Sequence, residues 1–149
     1  MKNKLLYLFI SLFIFSACGN NTKEHTCTIS NDYGGYEVII SEDNDVVSKE
    51  EYTLYYNENY LIDYDFTDFR SAYNHFREYY LDELEGFENT NFDAYYTSDS
   101  VVVKFTLDFN SNSIDDLNKA GLVEEDQIYK DHISYSASTN LFGLNCEDK

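Results

Sequence analysis

The sequence predicts a single α+β domain, in which an antiparallel sheet carries one long amphipathic helix packed on a face. Several segments alternate polar and apolar residues with the period of two that a half-buried strand requires. One segment instead has apolar residues at helical spacing, with a capping residue before it and a glycine after it. The predicted order of elements is βββαββα plus a C-terminal tail, which is typical of an α+β fold.

Three strands are predicted to open the domain as an antiparallel meander. Residues 26–30 and 36–41 alternate around a turn signal at Gly34 and Gly35, and a second turn leads into a strand over residues 46–56. Alternate residues of this third strand share one face and are predicted to point the same way. They are Val46, Ser48, Glu50, Tyr52, Leu54 and Tyr56.

The clearest helix is predicted over residues 68–85. Thr67 or Asp68 is the expected N-cap, and Gly86 is the expected stop. Six residues form an apolar stripe at helical spacing, and such a stripe is typical of a core-facing surface. They are Phe69, Ala72, Tyr73, Phe76, Tyr80 and Leu84.

A hairpin and a short helix complete the predicted domain. The hairpin joins residues 92–97 to residues 100–109, whose alternation is the strongest in the chain. Ser113 is expected to cap the short helix, which ends near Gly121. The tail is predicted to hold a strand over residues 133–137, followed by a turn or short helix before the last cysteine.

The first 18 residues are organised like a bacterial lipoprotein signal peptide. Lys2 and Lys4 form a basic region, residues 5–15 are unbroken apolar sequence, and small residues precede Cys18. The apolar stretch is shorter than the roughly 20 residues that a membrane-spanning helix needs. The segment is therefore expected to be cleaved.

The tetrad Phe15-Ser16-Ala17-Cys18 resembles the lipobox, in which leucine and two small residues precede an invariant cysteine. Phe15 departs from leucine, and the other three residues fit. The resemblance implies transfer of a diacylglyceryl group to the Cys18 thiol and cleavage after Ala17. The alternative is an ordinary secretory signal that contains a cysteine by chance.

The chain is accordingly divided into a signal peptide (1–17), a lipidated N-terminus with a flexible linker (18–25) and the single domain (26–149). Cleavage lowers the net charge from −18 to −20. Such acidity disfavours binding to nucleic acid and favours cations or basic partners. The alternative is that the acidity only keeps the protein soluble. The 15 tyrosines are consistent with AT-rich codon usage and are not taken as evidence of a binding surface.

Cys27 and Cys146 remain as a pair once Cys18 is assigned to lipid. Because the chain is expected outside the cytoplasm, a disulfide between them is favoured. It would close nearly the whole domain, and the chain-entropy treatment gives about 4 to 5 kcal/mol for such a loop. The alternative is two buried thiols.

The sequence contains no established catalytic or cofactor-binding motif, so neither an enzyme nor a cofactor is expected. One stretch resembles an EF-hand loop, but Ser113 replaces its turn glycine and Lys119 its bidentate glutamate. A strand end, a turn and a capped helix explain the same residues better, so no metal site is assigned. The weak candidate ligands are Asp108, Asn110, Asn112 and Asp116.

The chain also resembles the small YehR-like bacterial lipoproteins. The resemblance rests on the lipobox, on the strand with Cys27-Thr28 that opens the meander, on Gly86-Phe87 at the end of the amphipathic helix, and on the alternating strand VVVKFTLDF before a short helix. It implies a single-domain α+β lipoprotein on the outer face of a membrane. It implies no catalytic residues.

Three functional classes follow from these observations. The preferred one is a non-catalytic binding or envelope-associated module, lipid-anchored on the extracytoplasmic face of the cell membrane, with a protein, a peptide or a small solute as ligand. The alternative is a low-affinity binder of divalent cations or basic ligands, including basic peptides, that uses acidic clusters such as Asp82, Glu83 and Glu85. An enzyme whose site is assembled from distant residues ranks last.

Overall fold

A computed structural model describes residues 22–148. The predicted signal peptide, its cleavage point and Cys18 lie outside these residues. The described chain forms an antiparallel sheet of eight strands, which are β1 (Lys23–Asn31), β2 (Gly34–Asp43), β3 (Val46–Asn57), β4 (Asp93–Tyr96), β5 (Ser100–Asp108), β6 (Ile128–Tyr129), β7 (His132–Ser134) and β8 (Asn145–Asp148). The order across the sheet is β4-β5-β3-β2-β1-β8, and the β6–β7 hairpin attaches to the start of β3.

The described residues also form helices α1 (Glu58–Asp63), α2 (Phe69–Glu83), α3 (Ile114–Lys119) and α4 (Tyr135–Phe142), with a 3₁₀ turn at Glu125–Gln127. This arrangement confirms the predicted α+β class. One hydrophobic core joins the sheet to the helices, and Ile40, Leu107 and Leu117 are among its fully buried members. No helix among residues 22–148 is both long enough and apolar enough to cross a membrane.

The β1–β2–β3 meander is confirmed, with one correction to the predicted face of β3. The register between β2 and β3 shifts at Ser41 and Glu42, so that Ser48 has no direct partner on β2. This bulge turns Val47 to the core, where it is 2% exposed, and leaves Val46 facing outward at 42% exposure. Beyond the bulge, the predicted alternation holds.

The long helix α2 is confirmed as the element that covers the sheet. Asp68 caps it by accepting a hydrogen bond from the Ser71 backbone N–H at 2.7 Å. Ala72 and Phe76 on its apolar face are buried. The helix therefore packs through the predicted stripe, and it does so mainly against β4 and β5.

The C-terminal tail differs from its prediction. The strand predicted over residues 133–137 ends at Ser134, where α4 begins. The Ser134 hydroxyl oxygen accepts a hydrogen bond from the Ala137 N–H at 3.1 Å, which is the geometry of a helix N-cap. The capping serine outweighs the strand-like alternation that follows it.

Cys27 and Cys146 form the favoured disulfide, with an S–S distance of 2.02 Å. The two residues lie directly opposite each other in the β1–β8 ladder, so the bridge ties the first strand to the last. Strand β1 begins at Lys23, and residues 23–25 of the predicted linker therefore belong to the sheet. The segment between Cys18 and the domain is shorter than expected.

Candidate ligand-binding cleft

A cleft with a volume of about 530 Å³ lies between the β1–β2 turn and helix α1. Six tyrosines dominate its walls, and we call it the tyrosine cleft. It is lined by Asn31, Tyr33, Gly34, Gly35, Tyr36, Leu54, Tyr55, Tyr56, Tyr60, Asp63 and Tyr64.

Two asparagines hold the β1–β2 turn against α1. The Asn57 backbone N–H donates to the Tyr33 carbonyl at 3.0 Å. The side-chain amides of Asn57 and Asn59 both donate to the Asp32 carbonyl, at 3.0 and 2.8 Å. Asn57 also caps α1, since its side-chain oxygen accepts from the Asn59 N–H. The two sides of the cleft are thus fixed to each other.

Two glycines allow the backbone strands to approach closely at the base of the cleft. Gly34 has φ = +140°, and a β-carbon there would lie 1.9 Å from the carbonyl oxygen of Tyr55. A β-carbon on Gly35 would lie 2.4 Å from the carbonyl oxygen of Ile29. Both distances are far inside van der Waals contact, so any other residue would push the strands apart.

Stacked rings form the wall of the cleft on the α1 side. Tyr60 stacks on Tyr64 with ring centroids 4.2 Å apart, and Tyr56 meets Tyr60 edge-on at 4.8 Å. Tyr56 also stacks on Phe76 of α2 at 4.1 Å, which joins the wall to the core. Burial raises the pKa of Tyr56 and of Tyr60 above the usual range. Both rings therefore stay neutral at physiological pH.

The cleft is acidic and lacks a basic residue among those that line it. A hydrogen bond with Asp63, together with the charge of that carboxylate, raises the pKa of Tyr33. Tyr33 and Tyr64 are 44% and 61% exposed, so their rings are open to a ligand. Aromatic faces beside a carboxylate are the surroundings that an organic cation prefers.

A second cavity, which we call the inner cavity, has a volume of about 300 Å³. It lies between the sheet, the end of α2 and the chain that follows α3. It shares Tyr36 and Leu54 with the tyrosine cleft. Its lining residues are Tyr36, Tyr52, Leu54, Tyr79, Tyr80, Glu83, Phe105, Gly121, Leu122, Glu124, Gln127 and Phe142.

Glu50 is buried in the sheet beside the inner cavity, at 1% exposure. Burial raises the pKa of its carboxyl group to about 7, although the Tyr52 hydroxyl opposes the shift by donating a 2.6 Å hydrogen bond. Burial and the charge of Glu50 also raise the pKa of Tyr52. The sequence predicted that Glu50 shares a face of β3 with Tyr52 and Leu54. It did not indicate that the carboxyl group would be buried there.

A network of polar side chains lies at the opposite end of β1 from the cleft. We call it the polar clamp, and it consists of His25, Glu42, Asp45, Ser134 and Ser136. The Glu42 carboxylate lies 3.2 Å from the His25 Nε2 and accepts from the Asp45 N–H at 2.9 Å. Asp45 in turn accepts from the Ser134 hydroxyl and from the Ser136 N–H, each at 2.7 Å, and from the Ser136 hydroxyl.

The clamp stabilises its carboxylates in their charged form. Burial acts to raise the pKa of Glu42, but the hydrogen bonds from Asp45 and His25 lower it below its usual value. The hydrogen bonds from Ser134 and Ser136 lower the pKa of Asp45 in the same way against burial. The His25 ring also stacks on Tyr135 at 4.3 Å, which joins β1 to α4.

The weak cation candidates lie around the β5–α3 loop, away from both cavities. Asp108 accepts hydrogen bonds from the Asn110 N–H, the Ser111 N–H and hydroxyl, and the Asn89 side chain. The Asn112 side chain is hydrogen-bonded to backbone atoms of Glu88. These contacts are those of an asparagine-rich turn. They agree with the interpretation of this stretch as a turn rather than a calcium-binding loop.

The fourth candidate, Asp116, lies 3.4 Å from Lys119 on α3. Across residues 22–148, no group of three or more His, Cys, Asp or Glu side chains is arranged to hold a metal ion.

None of the predicted site residues lines the tyrosine cleft. The sequence signal that could have indicated the cleft is the group of tyrosines near Tyr33, Tyr55 and Tyr64. These tyrosines lie in three separate segments of the sequence.

These features define a single-domain α+β protein with one antiparallel sheet, one core and an open aromatic cleft. Two solved structures share the fold. The NMR structure of the Escherichia coli YehR protein has a TM-score of 0.66 and 12% sequence identity, covering 86% of this chain and 92% of that one. The NMR structure of a protein from Streptococcus pneumoniae TIGR4 has a TM-score of 0.54 and 10% identity, covering 88% and 87%.

The likeness to YehR confirms the expected resemblance at the level of the fold. No protein-family model matches the sequence. No curated protein matches it significantly.

Proposed function

We propose that this protein is a non-catalytic lipoprotein, anchored on the extracytoplasmic face of the cell membrane, that binds a ligand with an organic cationic group in the tyrosine cleft. The observation that carries the proposal is the cleft itself, in which exposed tyrosine rings surround a carboxylate. Its volume of about 530 Å³ lies within the usual range for small-molecule sites.

The lining of the cleft suits binding rather than catalysis. It contains no serine, cysteine, histidine or lysine that could act as a nucleophile or a proton carrier. Tyr56, Tyr60 and Tyr64 are held by ring contacts, and Tyr56 also by a hydroxyl contact of 3.0 Å with Tyr80. A preformed wall of this kind lowers the entropy cost of binding.

Charge and ring chemistry support a cationic ligand. An ammonium or guanidinium group over a tyrosine ring contributes about 0.5 to 2 kcal/mol, depending on its desolvation. Asp63 adds a carboxylate partner, and the net charge of −18 attracts cations to the whole surface. An organic cation fits better than a divalent metal, because a metal needs several oxygen ligands at short distance.

The geometry of β1 supports a role for the anchor in presenting the cleft. The strand starts at Lys23, five residues after Cys18, and ends at Asn31 beside the cleft. Nine residues of strand extend about 30 Å. A lipid on Cys18 would therefore hold the clamp end of the domain near the membrane and direct the cleft away from it.

Calorimetric titration of the purified protein with arginine amide tests the binding proposal. We expect Tyr64→Ala and Asp63→Asn each to weaken binding at least fivefold. Tyr129→Ala is the matched control, because Tyr129 is 57% exposed and lies outside both cavities. Equal losses in Tyr64→Ala and Tyr129→Ala, or no binding by the wild type, would refute the proposal.

Mass spectrometry of the N-terminal peptide tests the anchor separately. We expect membrane-bound protein to begin at a lipid-modified Cys18, and Cys18→Ala to block both lipidation and cleavage. Unmodified Cys18 in membrane-bound protein would show that the anchor is wrong, whatever the cleft binds.

A further inference from the structure

The tyrosine cleft and the inner cavity adjoin, and we call the two spaces together the groove. Tyr36 and Leu54 line both spaces and mark the border between them. The cleft extends from the border toward Tyr56, and the inner cavity extends toward Tyr52. These two β3 residues are four positions apart, which corresponds to about 13 Å along a strand.

Both parts of this groove contain carboxylates as well as tyrosine rings. Asp63 belongs to the cleft, while Glu83 and Glu124 line the inner cavity. None of the residues that line either space is basic. The groove therefore offers acidic groups in each of its two parts, and aromatic and aliphatic surface at Tyr36 and Leu54, where the parts adjoin.

We propose that the groove binds a linear polyamine, with one ammonium group near Asp63, another near Glu83 and Glu124, and the methylene chain over Tyr36 and Leu54. The proposal rests on the proposed function, because it uses the same cleft. It adds that the ligand is elongated and carries at least two cationic groups.

The chemistry of a polyamine matches each part of the groove. Its ammonium groups pair with carboxylates and lie favourably over tyrosine rings. Its methylene chain removes apolar surface from water when it packs on Leu54 and the rings. Once one ammonium group is bound, the second is held at high effective concentration near the other end, so the two ends reinforce each other.

A titration series with the purified full-length protein tests this proposal by calorimetry at constant ionic strength. The probes are butylamine, putrescine and spermidine, which carry one, two and three amino groups. We expect the affinity to rise at least tenfold from butylamine to spermidine. Keeping the ionic strength constant separates this gain from general screening of the acidic surface.

Paired variants locate the second ammonium site. We expect Glu83→Gln combined with Glu124→Gln to weaken spermidine binding at least fivefold and to leave butylamine binding unchanged. The control combines Glu24→Gln with Glu78→Gln, which removes the same charge from exposed residues that line neither cavity. We expect that control to bind spermidine like the wild type.

The outcomes separate this inference from the function on which it rests. Equal affinity for butylamine and spermidine, with both lost in Tyr64→Ala, would overturn the polyamine inference and leave a cleft for a single cationic group. Equal weakening of spermidine by the two glutamate pairs would reduce the effect to general charge attraction and also overturn it. Absence of binding by every amine and by arginine amide would overturn the proposed function as well.

Discussion

The two ends of β1 lie in contrasting surroundings. Near its start, the polar clamp joins β1 to the β2–β3 turn and to α4, and in the middle of the strand the disulfide joins it to β8. At its end, the β1–β2 turn is tied to α1 through asparagine side chains, and the neighbouring rings of Tyr33 and Tyr64 are exposed. One end thus concentrates buried polar contacts, and the other presents uncovered aromatic surface.

From this difference we infer that one end of the domain stabilises the fold and the other end binds the ligand. Buried polar contacts that stabilise the fold lie where the chain would be tethered, and the aromatic surface is open at the far end. A ligand can then be exchanged at the cleft without disturbing the contacts that hold the sheet. The comparison predicts that substitutions at the clamp end affect stability, and that substitutions at the cleft affect binding.

Removal of the disulfide is expected to have the largest effect on stability. Replacing both Cys27 and Cys146 with alanine should lower the free energy of unfolding by about 4 to 5 kcal/mol, because the bridge restricts a loop of 119 positions in the unfolded chain. Urea unfolding measures the change, and wild-type protein with a reductant serves as the control. A loss below about 1 kcal/mol would show that the fold does not depend on the bridge.

Glu50, between the two ends, is expected to give the next largest effect, and one that depends on pH. Its folded pKa of about 7 exceeds the unfolded value of 4.5, so the folded state holds the proton more tightly. The resulting stabilisation is complete below pH 4.5 and is lost as the pH rises to about 7. The difference between these two pKa values corresponds to a change of about 3 kcal/mol in the free energy of unfolding.

Glu50→Gln removes this titration, because glutamine stays neutral while it still accepts the Tyr52 hydrogen bond. We expect the variant to gain about 3 kcal/mol relative to the wild type between pH 4.5 and pH 8. Urea unfolding at a series of pH values measures the gain. A constant difference across that range would mean that Glu50 does not titrate in the folded protein.

A matched pair of aspartates gives the smallest expected effect and compares the two ends directly. Asp45→Asn should cost about 1 to 2 kcal/mol near neutral pH, because it removes a charged acceptor of three hydrogen bonds. Asparagine suits the left-handed backbone at this position, where φ is 72°. Asp63→Asn changes an exposed carboxylate and should stay within about 0.5 kcal/mol.

The pH dependence of the Asp45 variant checks the cause. Because the folded pKa of Asp45 is lowered, its stabilisation is present above the unfolded value of 3.8 and is lost as the pH falls through the folded value. The difference from wild type should therefore shrink in acid. Equal costs for Asp45→Asn and Asp63→Asn would remove the distinction between the ends.

Much of the fold was predictable because its signals are local. The alternation of β5, the Asp68 cap and the stripe around Phe76 each lie within one element, so propensity and periodicity identify them. The pairing of Cys27 with Cys146 followed from the cysteine count and from the expectation of export. The predicted strand over residues 133–137 was wrong beyond Ser134, because that serine caps a helix and also donates to the distant Asp45.

The cleft was not predictable, because its parts come from three segments and depend on strand register. Tyr33, Tyr55 and Tyr64 become neighbours only when the β1–β2 turn is tied to α1. The bulge after Ser41 is also invisible in the alternation, and it alone decides which of two adjacent valines is buried. The abundance of tyrosine was the one feature of the composition that pointed to an aromatic site. AT-rich codon usage explained that abundance equally well.

The central claim is that a cationic ligand binds at the end of the domain opposite the clamp, and backbone amide NMR tests it most directly. Titration of ¹⁵N-labelled protein with arginine amide should shift resonances near Tyr33, Gly34 and Tyr64, and leave those of Asp45 and Ser136 unchanged. Sodium chloride at equal ionic strength should not reproduce the pattern. Shifts spread over exposed acidic residues, or centred on the clamp, would contradict the account.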